Sequence, residues 1–120
     1  MGRRSGTAPR ALPGAHLILG RRFGDVVDRQ LDLFGREESA LLVEADERHA
    51  AWKAADRDEA EEAYGDYADT LDAAVDALEA MRDHFATSLS EEDAERYERE
   101  FGRAVKRRFP EIGRLLHPGQ

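Results

Sequence analysis

The residues in this sequence best spaced for metal chemistry are Asp46 and His49, written Asp-x-x-His. A carboxylate and an imidazole three positions apart share one face of a helix, and such pairs supply half the ligand set of carboxylate-bridged di-metal bundles. If the chain folds back near residue 56, His49 comes level with Tyr64, and Asp66 and Asp69 could add oxygen ligands for a divalent metal ion. The pattern needs a second pair, and His84 is preceded at the matching positions by Met81 and Ala80. At ~1.5 Å of helix rise per residue the two histidines differ in level by roughly 30 Å, so only an oligomer would complete the site. The plainer expectation is no cofactor, with His49 partly buried in a helix seam and bonded to a carboxylate or a tyrosine.

Two further groups invite a chemical reading. Arg103, Lys106, Arg107 and Arg108, together with Arg3, Arg4, Arg10, Arg21 and Arg22, form basic ends that would suit a nucleic-acid accessory protein. The same cations also fit the last turn of a helix, where they offset the dipole. The net charge of −8 opposes a phosphate backbone at long range, so nucleic acid is not the expected partner. Trp52, Tyr64, Tyr67 and Phe85 resemble an aromatic cage in composition, but their helical spacing is that of core. There is no G-x-G-x-x-G, no Gly-Lys-Ser/Thr phosphate loop, no Gly-x-Ser-x-Gly and no His-Glu-x-x-His, which removes the common nucleotide-binding and hydrolase classes.

Composition narrows the field further. The 120 residues fit one domain, and 41% apolar against 37% charged residues describes charged faces around a modest core. The absence of cysteine excludes disulfides, thiolate metal sites and cysteine nucleophiles. Arg3-Arg4 is not expected to begin an export signal, because Arg10, Pro13 and His16 interrupt the apolar stretch that should follow, and no stretch approaches the ~20 apolar residues of a membrane span. A cytoplasmic location is expected. Charge falls in three blocks: residues 1–36 carry seven basic and three acidic side chains, residues 37–100 six and twenty-two, and residues 101–120 five and one. A chain with basic ends and an acidic body invites head-to-body self-association.

These side chains must be positioned by helices. Phe23, Val27, Leu31, Phe34, Leu41 or Leu42, Ala45, His49 and Trp52 fall on one helix face by mixed three- and four-residue steps, two of them between Phe34 and the leucine pair, which predicts one helix over about 23–55, with Gly35 tolerated inside it. Tyr64, Tyr67, Leu71, Ala74, Leu78, Met81 and Phe85 are spaced 3, 4, 3, 4, 3, 4 and predict a second helix, 58–87, with a heptad seam. Between them, Asp56 with Glu59 has the form of a capping box and marks a tight turn. The stretch Ala54-Ala55-Asp56-Arg57-Asp58-Glu59-Ala60 before Tyr64 resembles the inter-helix turn of tetratricopeptide-type hairpins. One unit cannot make a solenoid, so the resemblance implies only an antiparallel hairpin. Ser90 followed by Glu91, Glu92 and Asp93 caps a third helix, 91–109, whose stripe is Ala94, Tyr97, Phe101, Val105 and Phe109 and which Pro110 closes.

The expected architecture is therefore all-α: a flexible basic arm at 1–20, a helical domain at 21–113 and a C-terminal tail at 114–120. The hairpin should bury Leu31, Leu42, Trp52, Tyr64, Tyr67, Leu71, Leu78, Met81 and Phe85. Its third helix is too short to cover the whole of it, so two chains should join as a homodimer with a four-helix core. A non-catalytic interaction or assembly protein is the expected function, with a metal-binding four-helix protein using Asp46 and His49, or a nucleic-acid accessory protein, as the alternatives.

Overall fold

The computed structural model describes residues 15–119 and contains only helices and turns among them. In chain order these are α1 (Ala15–Glu37), α2 (Ser39–Ala54), α3 (Arg57–Ala86), α4 (Glu91–Arg108) and the single turn α5 (Pro110–Gly113). Residues 1–14 of the expected arm lie outside the described residues, whereas 15–20 form the opening turns of α1.

The helix expected over 23–55 is two helices. Glu38, at φ −107° and ψ 26°, interrupts it. Hydrogen bonding continues across the break, since the Glu38 N–H donates to Phe34 O at 2.8 Å and the Leu42 N–H to Glu38 O at 3.0 Å. The result is a re-aimed axis rather than a loop, and Gly35 lies inside α1, a turn before it. The physical reason is a change of neighbour. The buried face of α1 packs on α4, while that of α2 packs on α3.

The turn at Ala55-Asp56 falls where the acidic cluster predicts it, but the capping box does not form. Asp56 makes no side-chain cap, and the Glu59 N–H bonds instead to the Asp56 carbonyl at 2.9 Å. Asp58 and Glu59 still place negative charge in the first turn of α3, where the dipole favours it. At the other end of α3 the Thr87 and Ser88 hydroxyls donate to the carbonyls of His84 and Phe85, each at 2.7 Å, and close the helix. Ser90 then caps α4, accepting from the Asp93 N–H at 3.2 Å. Pro110 cannot continue α4 and becomes the first residue of α5.

One core runs through Phe23, Val27, Leu31 and Phe34 of α1, Leu71, Ala74, Val75 and Leu78 of α3, and Tyr97, Phe101 and Val105 of α4. α1 and α4 run parallel: Phe23 meets Tyr97 at a ring distance of 6.0 Å and Phe34 meets Phe109 at 5.4 Å. The Tyr97 hydroxyl, fully buried, donates to Gln30 Oε1 at 2.8 Å and fixes the register between them. Phe85, 4.7 Å from the Tyr97 ring, closes α3 onto the same end. The C-terminal segment joins this bundle too. Arg82, only 4% exposed, donates to the His117 carbonyl at 2.6 Å and to Asp83 Oδ1 at 2.8 Å, while Glu79 accepts from the His117 backbone N–H at 2.6 Å.

α4 therefore covers only the C-terminal part of α3. Beyond α5 the N-terminal part of α3 has α2 as its single long neighbour, and the molecule is drawn out to 74 × 25 × 20 Å. The seam expectation is adjusted accordingly. Leu31, Leu71, Leu78 and Tyr67 are buried, Leu42, Trp52, Met81 and Phe85 are partly so, and Tyr64 is 49% exposed because no third helix reaches it.

Candidate interaction site

α2 and α3 meet along an aromatic cluster. Trp52 lies parallel to Tyr67 at 5.9 Å and edge-on to Tyr64 at 4.9 Å, and His49 stands edge-on to Tyr67 at 5.1 Å and to Trp52 at 5.8 Å. Offset and edge-to-face contacts of this kind contribute about 0.5–1.5 kcal/mol each beyond area burial. The register differs from the expected one by about a turn, with His49 level with Tyr67 and Trp52 level with Tyr64. His49 is held by ring packing, and no hydrogen bond to a carboxylate or tyrosine forms among the described residues. Lys53 adds a cation at 5.5 Å from the Trp52 ring centre.

A cavity of about 450 Å³ opens beside the cluster, where α2, α3 and the corner between α4 and α5 converge. Leu42, Ala45, Leu71, Phe109, Pro110 and Ile112 make its apolar wall, and Asp46, His49, Tyr67 and Glu111 bring the polar groups. Sequence reasoning reached the α2 and α3 residues through periodicity. It missed Glu111 and Ile112, because the chain after Pro110 carries too short and mixed a pattern to read.

Two carboxylates line the cavity, one of them paired with an arginine. Asp46 forms no ion pair among the described residues, and Glu111 accepts from Arg114 at the outer edge. Burial chiefly, then the Glu111 carboxylate, hold the Tyr67 phenol above its ordinary pKa; Tyr64 and Asp46 act in the same sense and Arg114 in the opposite one.

The metal ligands considered from the sequence do not converge. Asp46 and His49 face the cavity just described, while Asp66 and Asp69 line a separate groove with Glu44, Arg48 and Thr70. Arg48 engages that groove's acids, at 2.9 Å from Glu44 and 3.5 Å from Asp66. Among the described residues no three His, Asp or Glu side chains are grouped to hold a metal ion.

The basic end of α4 is also partly committed. Arg108 donates to Asp32 Oδ1 at 2.7 Å and to the Asp28 carbonyl at 3.3 Å, tying α4 to α1, and Arg103 lies 3.6 Å from Glu100. Lys106 and Arg107 remain exposed beside them.

Fold and site together define an all-helical protein with a closed three-helix end, an open two-helix end and an apolar, acid-edged cavity at the junction. No helix among the described residues is long and apolar enough to cross a membrane. No protein-family model matches the chain, and neither the curated proteins nor the solved structures contain a match to it.

Proposed function

We propose that this chain is a non-catalytic helical interaction protein that assembles through the open α2/α3 end, in the first instance with a second copy of itself. The observation that carries this reading is the mismatch in helix length. α3 is 30 residues long and α4 is 18, so among the described residues the N-terminal part of α3 beyond α5 has α2 as its single long neighbour, and the apolar seam they share stays open on its outer side. Two such ends laid together give a four-helix core, with helices crossing near +20° as heptad spacing favours. Tyr64, which a monomer leaves half in water, would become interior.

Sedimentation equilibrium tests the reading, with Tyr64→Lys as the comparison. The exposed position makes that substitution inexpensive for a monomer, so a dimeric parent and a monomeric, normally folded variant are the expected pair of results. A parent that sediments as a monomer at tens of micromolar would refute assembly through this face.

A further inference from the structure

The cavity where α2, α3 and the α4–α5 corner meet is apolar within and holds three polar groups that the described chain leaves without partners. We infer that it binds a small organic amine, one ammonium group on a compact apolar body, with the ammonium donating to the Asp46 carboxylate, the Tyr67 hydroxyl oxygen and a His49 ring nitrogen. The site is complete within one chain, so it does not depend on the assembly proposed above.

Tyr67 is the first ground for a guest. It is 6% exposed, it belongs to the cavity lining, and its hydroxyl has no hydrogen-bond partner among the described residues. A buried phenol ordinarily finds one. After burial itself, Glu111 and, more weakly, Asp46 hold its pKa up, which sets the hydroxyl on the side of the ring where these two lining carboxylates lie. His49 stands edge-on to the same ring at 5.1 Å and also lacks a hydrogen bond among the described residues. Asp46, three positions earlier, shares its face of α2.

The charges around the cavity call for a monocation. Glu111 is already paired with Arg114. Arg48, two residues after Asp46, lines the separate groove, where Glu44 at 2.9 Å and Asp66 at 3.5 Å hold it, and Lys53 lies over the Trp52 ring. Asp46 is therefore the lining carboxylate that no cation among the described residues answers, and a guest of single positive charge matches it. An ammonium fits this head group because it has three donors and no acceptor, whereas a carboxylate, a phenol oxygen and an imidazole nitrogen can all accept. The rings of Tyr67 and Phe109 add attraction for a cation, and Leu42, Leu71 and Ile112 offer an apolar wall to its body. The volume of about 450 Å³ is that of a small-molecule site. Asp46 itself is exposed, at the mouth, so its pairing with the head stays partly solvated and contributes selectivity more than affinity.

Isothermal titration calorimetry of the full chain with three probes of one shape tests the site: 3-phenylpropylamine, 3-phenylpropan-1-ol and 3-phenylpropionate, at about pH 8, where an alkylammonium is charged. The amine should saturate one site per chain with a Kd of about 0.1–1 mM, as expected of so small a ligand, the alcohol should bind about tenfold more weakly, and the carboxylate should not bind. Asp46→Asn should bring the amine down to the level of the alcohol. Tyr67→Phe, which keeps the ring stacked on Trp52, should weaken the amine severalfold without lowering the thermal midpoint, because the lost hydroxyl bonds nothing within the described chain. Asp66→Asn, in the separate groove, is the control for general attraction to an acidic surface and should leave the titration unchanged. The assignment is overturned by any of three results: no saturation by the amine up to ~10 mM, equal affinities for amine and alcohol, or equal losses from Asp46→Asn and Asp66→Asn. Sedimentation equilibrium of the parent decides the assembly separately, so failure of either reading leaves the other standing.

Discussion

Replacing Leu78 by alanine should remove about 3–4 kcal/mol of folding stability. Leu78 is 0% exposed and lies in the part of α3 enclosed by the three-helix end, so its side chain has no route to solvent that would relieve the loss. Three buried carbons contribute roughly 2.4 kcal/mol at ~0.8 kcal/mol each. The remainder comes from the cavity left behind, because the core around it is built of fully buried side chains held by their own helices, which collapse into it only in part. The total falls within the range of about 2–5 kcal/mol seen for buried leucine truncations. Urea unfolding followed by far-ultraviolet circular dichroism, at a fixed protein concentration so that assembly does not confound the midpoint, would measure it. Leu33→Ala is the internal control: at 39% exposure it should cost less than about 1 kcal/mol. A loss below about 1 kcal/mol for Leu78→Ala, or equal losses for the two variants, would refute the placement of the core.

Two further outcomes follow from buried polar groups. Burial raises the Tyr97 phenol to about 12, against the help of Gln30, so the folded state resists an ionisation that the unfolded chain undergoes near 10. Stability should thus be insensitive to this group below about pH 10 and fall between about pH 10 and 12. Tyr97→Phe should flatten much of that alkaline loss while costing about 1 kcal/mol at neutral pH for the bond to Gln30, both readable from denaturant midpoints across pH. Arg82→Ala should cost roughly 2–3 kcal/mol and free residues 114–119, since it removes the donor to His117 O and leaves the carbonyl unpaired. Faster amide exchange and proteolysis confined to that segment would confirm the link, and unchanged protection there would dismiss it.

How much of this was legible in the sequence depended on how many neighbours each helix has. Leu71, Ala74 and Leu78 were readable because a heptad spacing reports one packing partner. α3 has α2 along its first half and α4 along its second, so its buried face rotates and takes in Val75 and Arg82, which no single seam contains. Val75 offered an apolar hint. Arg82 offered none, since a charged residue reads as solvated until a carbonyl thirty-five positions away is known to meet it. The break at Glu38 was hidden for a related reason. The stripe continues in step from Phe34 to Leu42, and only the change of neighbour from α4 to α3 demands a new axis. At the site, Asp46, His49 and Tyr67 were visible through spacing, whereas Glu111 enters only because the chain turns at Pro110 and packs α5 on α3.

That turn also shapes what the protein can do. Had α4 continued past Arg108 as a helix, it would have run on beside α2 and α3, covered Tyr64 and Trp52, and left a closed monomeric bundle. Proline at 110 denies the helix its next hydrogen bond, and the four residues of α5 put Ile112 into the core while Glu111 stays at the cavity rim. One residue thus ends the third helix halfway along its partners and creates both the uncovered seam and the acid-edged cavity beside it. Replacing Pro110 by alanine should let α4 lengthen at the expense of α5. If the open end is an assembly surface, that variant should dimerise more weakly than the parent while keeping its helical content, and sedimentation equilibrium with circular dichroism would show the two effects together. Unaltered dimerisation would mean that the corner at 109–110 is set by the packing of Phe109 and Ile112 rather than by the proline.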